Sequence, residues 1–174
     1  MVKKWKKLKE KSTTVGFRKI LSKTFQMPDG QISRWDIKQE GPVVCVLALT
    51  TDQKVILNKQ FRPGPEKILL EMPGGMIDKG ETPLQAIKRE LLEETGYTGH
   101  FKLVGKKFAC AYSDRVSYTF VATACRQIQK QHLENDEFIE VTKMSLKDFR
   151  KHLQKGQLTD TKSGYLALDY LKLL

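Results

Sequence analysis

Four glutamates and an arginine stand at fixed offsets in one short stretch: Glu81, then Arg89, Glu90, Glu93 and Glu94, a little after the glycine pair Gly74-Gly75. Glu90, Glu93 and Glu94 are related as i, i+3 and i+4, so on a helix their carboxylates share a face. Like charges so placed repel by roughly 0.2–0.5 kcal/mol per pair, and the space between them calls for a positive charge. Hard divalent cations, which prefer carboxylate oxygens, answer that need.

The flanking residues predict the helix that would carry these groups. Thr82 reads as its N-cap, Pro83 as the first helical residue and Gln85 as the partner in a capping box. Gly96 ends it in the left-handed conformation. Leu84, Ile87 and Leu91 recur at helical spacing and form the expected buried face. Around it, Pro42–Leu49 is an apolar, β-branched run that reads as a buried central strand. Further strands are expected at Val55–Gln60, Ile68–Glu71, Val116–Ala122 and Phe138–Met144. A helix capped by Ser145 and a last helix from about Thr161 follow. Before them, Thr13–Gln39 alternates weakly around the turn signal Met27-Pro28-Asp29-Gly30 and reads as a hairpin, with Phe17, Ile20, Phe25, Ile32 and Trp35 available for packing. The fold class is therefore α/β (α+β): a mixed sheet between helices, plus a small amino-terminal antiparallel β subdomain. Residues 1–40 form the arm and hairpin, and 41–174 the main domain.

Gly75, five residues, Glu81, seven residues, then Arg89-Glu90-Leu91-Leu92-Glu93-Glu94-Thr95-Gly96-Tyr97 resembles the signature of the Nudix hydrolases at every fixed position. The soft departure is Tyr97, where an aliphatic residue is usual. Gln60-Phe61-Arg62-Pro63-Gly64-Pro65 and Leu70-Glu71-Met72-Pro73-Gly74-Gly75 further resemble the ADP-ribose pyrophosphatase branch. So do Asp136–Val141 and Gly156–Lys162 near the end. The resemblance implies an α/β/α sandwich and metal-dependent hydrolysis of a nucleoside diphosphate linked to a sugar, foremost ADP-ribose to AMP and ribose 5-phosphate. It implies magnesium, or manganese, held by Glu90, Glu94, Glu93 and the Gly74 carbonyl. Arg89 would orient the carboxylates, and Glu81 would support the loop or join the metal set. Glu137 is the implied base, with Glu134 and Asp136 as alternatives. Arg62 would grip a phosphate or the terminal ribose, and Trp35 would stack on the base or simply pack. Where that branch carries a proline beyond the signature, this chain has Tyr112. That keeps dinucleoside polyphosphates and other nucleotide sugars open as substrates, and Tyr112 open as a substrate contact or a packing aromatic. A domain that senses nucleotides without cleaving them is the further alternative.

The chain has 174 residues, 40% hydrophobic content and a formal charge of +11, suited to one catalytic domain with a sizeable core. The basic excess gathers at Lys3, Lys4, Lys6, Lys7, Lys9 and Lys11 around Trp5 and Leu8, and reads as a solvated helix face or loose arm. RNA contact through these lysines is the alternative. Elsewhere the basic residues are scattered, which suits steering of a phosphate-rich small molecule more than a nucleic-acid track. No apolar run approaches the ~20 residues of a membrane span. The lysine-rich start lacks the apolar segment of a secretory signal, and Cys45, Cys110 and Cys125 read as reduced thiols. The expected setting is cytoplasmic. The branch resemblance implies a homodimer in which the amino-terminal segment is exchanged between protomers.

Overall fold

A computed structural model describes residues 1–174 as nine strands and three helices. They are β1 (Lys6–Val15), β2 (Arg18–Gln26), β3 (Ile32–Gln39), β4 (Val43–Thr50), β5 (Lys54–Arg62), β6 (Lys67–Glu71), α1 (Pro83–Thr95), β7 (Tyr97–Phe108), β8 (Val116–Gln127), β9 (Glu140–Ser145), α2 (Leu146–Gln154) and α3 (Thr161–Tyr170). The chain divides into two compact units, Met1–Pro42 with Lys107–Ser117, and Val43–Lys106 with Tyr118–Leu174.

In the larger unit β4 sets the layers. Its side chains alternate, and each face has its own core. Cys45, Leu47 and Leu49 pack with Phe149, Leu153 and Leu168 of α2 and α3. Val44, Val46 and Ala48 pack with Ala86, Ile87 and Leu91 of α1. A strand buried on both faces is a continuous apolar run for this reason. The sheet order is β6-β5-β4-β8-β7, with β9 paired to β5. β5 keeps the same parity, Val55 and Leu57 toward α2 and α3, Ile56 toward α1. No helix is long and apolar enough to cross a membrane.

The first unit holds the antiparallel sheet β1-β2-β3. The Met27–Gly30 turn is present, Gly30 N donating to Met27 O at 3.0 Å and Gln31 N to the Asp29 carboxylate at 3.0 Å. The lysine-rich segment is neither helix nor loose arm: it is the edge strand β1. Val15 pairs with Arg18 across a two-residue turn in which Gly16 has φ 59°, so a second hairpin precedes the expected one. Lysines along an edge strand discourage further pairing, which suits Lys6–Lys11 to this place. Leu21 is the only fully buried apolar side chain of this unit, while Phe17 and Ile32, expected to pack, are exposed. Trp5 lies against Phe25 and Trp35, with ring centroids 6.1 Å away in each case.

Strand β7 was not anticipated. Its sequence carries two glycines and alternates poorly, and its identity comes from pairing beside β8.

Candidate active site

The local rules written into α1 are met. Thr82 Oγ1 accepts from Gln85 N at 3.3 Å, Gln85 Oε1 accepts from Thr82 N at 2.9 Å, and Gly96 adopts φ 75°. The buried stripe is Ala86, Ile87 and Leu91. Leu84, expected on that stripe, lies in the first turn and is 41% exposed.

Ahead of the helix, Pro73 O and Gly75 O accept from Val46 N and Val44 N, both at 2.9 Å, leaving the Gly74 carbonyl out of this ladder. Gly74 has φ 152°, and a Cβ there would stand 2.2 Å from Val44 O. A Cβ on Gly75 would meet Glu90 Oε1 at 2.4 Å. Both glycines are needed for close approach, the first to β4 and the second to a carboxylate.

The positive charge between the glutamates is Arg89. It is bidentate on Glu81 (Nε–Oε1 2.9 Å, Nη2–Oε2 3.0 Å), and its Nη1 donates to Glu90 Oε1 at 3.0 Å and Glu93 Oε2 at 3.1 Å. Nη2 also reaches Met76 O at 3.1 Å. The Arg89 guanidinium, helped by the Asp78 N–H, holds the Glu81 carboxyl down at about 2. This fork fixes carboxylate directions on two elements at once.

Glu94 has a different environment. It is 4% exposed, Gly74 N donates to its Oε2 at 2.8 Å, and no cation reaches it. Burial pushes its carboxyl up to about 8, with the charges of Glu90 and Glu137 adding to the shift. Burial also raises Glu90, opposed by Arg89 and reinforced by Glu93 and Glu137. Glu137 thus faces the same space as Glu90 and Glu94. It is half-buried, with Oε2 accepting from Glu134 N at 3.1 Å, while Glu134 and Asp136 are exposed. Those two line a cleft of about 630 Å³ with Glu93, His132, Leu133 and Asn135.

No three acidic, imidazole or thiol groups converge on one point at coordinating distance. The residues nonetheless fit a hard cation. Glu90 and Glu94 are desolvated carboxylates, the charge of Glu90 raises the proton affinity of Glu94, that of Glu137 raises both, and the missing Cβ of Gly75 leaves room for the Glu90 carboxylate.

Arg62 is not a free surface arginine. Its Nε donates to Glu71, whose other oxygen accepts from Thr159, and Glu71 is buried. The outer guanidinium nitrogens remain for an anion, since the Arg62 side chain is 41% exposed. In the first unit Trp35 stacks on Tyr112, centroids 5.7 Å apart and planes 13° from parallel.

The glycine loop, capped helix and acid cluster coincide with a family model. A NUDIX domain model matches residues 39–163. The chain belongs to the Nudix family. An ADP-ribose pyrophosphatase of Bacillus subtilis is 35% identical over 151 residues, covering 85% of this chain and 81% of that protein. A methanol dehydrogenase activator of Bacillus methanolicus is 29% identical over the same shares. A crystal structure of an ADP compounds hydrolase superposes with a TM-score of 0.81 at 20% identity, covering 99% of this chain and 96% of the other, and shares the fold. Nudix hydrolases generally use divalent metal ions.

Three partners of the site went unseen in the sequence. Glu71 anchors Arg62. Gln131 Nε2 donates to Glu94 O at 2.6 Å and Ile139 O at 3.2 Å, tying α1 to the strand after the Glu137 loop. Asn58, fully buried in β5, lies beside Glu94. Only Asn58 carried a signal: a polar residue at a position whose parity points into the α1 core.

Proposed function

We propose that this Nudix hydrolase splits ADP-ribose into AMP and ribose 5-phosphate, with magnesium, or manganese in its place. The observation that carries this reading is the group Glu90, Glu94 and Glu137 beside the Gly74-Gly75 loop. These acids repel one another in a chain 35% identical to an ADP-ribose pyrophosphatase. Glu90 and Glu94, with Glu93 and the Gly74 carbonyl, would hold the ions, which when bound would supply charge neutralisation at the phosphate oxygens and acidify the attacking water. Glu137 takes the water proton as the water oxygen bonds to phosphorus and the bridging P–O bond breaks. Arg89 sets the directions of Glu90 and Glu93, and Glu81, clamped on Arg89, supports it and is not itself a ligand. Arg62, held at Nε by Glu71, offers its remaining donors to a phosphate or ribose. Within the first unit, the Trp35–Tyr112 stack is an aromatic surface of the kind on which a base can stack.

The working form is a homodimer exchanging its amino-terminal segment. The first unit buries only Leu21 and exposes Phe17 and Ile32, which a second copy would cover. Thiols at Cys45, Cys110 and Cys125 suit a reducing, cytoplasmic setting. A second reading, a dinucleoside polyphosphate or another nucleotide sugar as substrate, is favoured by Tyr112 standing where the branch carries proline. A panel of ADP-ribose, nucleotide sugars and dinucleoside polyphosphates, scored by kcat/KM, tests the choice. ADP-ribose should lead, and a tenfold preference for another compound would replace it.

A further inference from the structure

Asn58 is the one side chain of the larger unit whose buried polar atoms, Nδ2 and Oδ1, both lack a hydrogen-bond partner. It is 0% exposed, in a strand whose neighbours Val55, Ile56 and Leu57 are also fully buried. Burying an amide without partners is costly, and nearly all buried polar groups in folded proteins are paired. The parity of β5 turns Asn58 to the α1 side with Ile56, and across the strand pairs it stands opposite Glu71 and Val141. The carboxylate it approaches there is Glu94, near enough for the amide to favour the ionised form, short of a fully formed hydrogen bond. Glu94 already receives one donor, Gly74 N at 2.8 Å on Oε2.

We propose that Asn58 is a positioning residue for the metal site, its Nδ2 donating to the Glu94 carboxylate so that this ligand is held between β5 and the Gly74 backbone. A buried carboxylate with one fixed donor can still turn about its last torsion. A second donor from a different element removes that freedom, and a ligand held in place binds its ion more tightly. Asn58 also supplies a neutral donor where a lysine or arginine would compete with the cation for the same oxygens.

The inference rests on the proposed metal role of Glu94, and the test separates the two. Valine and threonine have the same shape and differ by one hydroxyl, so Asn58→Val and Asn58→Thr isolate the donor from the packing. Direct Mn2+ binding, read from the loss of free-ion signal in electron paramagnetic resonance, is compared with thermal stability in EDTA. Asn58→Val should bind Mn2+ roughly tenfold more weakly, the worth of one hydrogen bond to a charged group. Its stability should match or exceed the parent's, because the buried Oδ1, which the proposed hydrogen bond leaves without a donor, has gone. Asn58→Thr should stay within about threefold of the parent, since its hydroxyl keeps a donor. Equal Mn2+ affinities for the two variants would overturn the inference, whatever their stabilities. Glu94→Gln, run alongside, tests the ground beneath it: unchanged Mn2+ binding in that variant would remove Glu94 from the metal site altogether.

Discussion

Glu94→Gln should stabilise the metal-free protein at pH 8 and leave it unchanged near pH 4.5. Burial behind the Gly74 loop, with the charges of Glu90 and Glu137, lifts the Glu94 carboxyl from 4.5 to about 8. The folded protein therefore holds a proton that the unfolded chain releases above about 4.5. Stability from this group is fully present below that pH and is lost progressively up to about 8. At about 1.36 kcal/mol per pKa unit, the whole shift corresponds to roughly 4–5 kcal/mol, an upper limit that falls if water enters behind the loop. Glutamine keeps the size and the acceptor for Gly74 N–H while removing the titration. Its advantage at pH 8 should appear as a gain in Tm of at most roughly 8–20 °C, given about 2–4 °C per kcal/mol at this chain length. Thermal unfolding in EDTA at half-unit steps from pH 4.5 to 8.5 gives the curve for both proteins. Added magnesium should raise Tm at pH 8 for the parent and much less for the variant. Parallel pH curves, or an equal gain at pH 4.5, would refute the placement of Glu94 as a desolvated, repelled carboxylate.

Arg62→Ala should raise KM for ADP-ribose roughly tenfold with little change in kcat, as loss of a charge-assisted contact does. Glu137→Ala should lower kcat by about 10²–10⁴-fold with Mn2+ binding retained and partial rescue at high pH; normal turnover would move the base to Glu134 or Asp136. Under native conditions a thiol reagent should modify the exposed Cys110 and spare the buried Cys45 and Cys125, the latter with its thiol pushed up to about 11. Rapid labelling of all three cysteines would contradict that burial. Light scattering should give a dimer at micromolar concentration, and removal of residues 1–39 should abolish it together with activity; an active monomer would reject the exchanged-segment assembly.

What the sequence disclosed was whatever local chemistry decides. The Thr82–Gln85 box, Pro83 and Gly96 mark α1 because caps are short-range hydrogen bonds, and both ends are where those residues place them. β4 announced itself by being apolar on both faces. β1 did not, because Lys6–Val15 is exposed throughout and becomes a strand only through its register with β2. β7 likewise takes its character from β8. Within the site, the spacing of Glu90, Glu93 and Glu94 fixed which face they share. It could not reveal that Arg89 would engage Glu81, Glu90 and Glu93 while leaving Glu94 without a cation. That distinction depends on how deeply each carboxylate sits beneath the Gly74 loop. Nor could it join Arg62 to Glu71 and Thr159, which come from three separate segments.

The central claim is tested most directly by following ADP-ribose by 31P nuclear magnetic resonance with the parent enzyme in magnesium, in EDTA, and with Glu94→Gln in magnesium. The parent in magnesium should convert the pyrophosphate resonances into equal amounts of AMP and ribose 5-phosphate. EDTA should stop the reaction, and Glu94→Gln should slow it on the order of a hundredfold or more. Intact ADP-ribose in the magnesium sample, or undiminished cleavage in EDTA, would contradict a metal-dependent ADP-ribose pyrophosphatase built on Glu90 and Glu94.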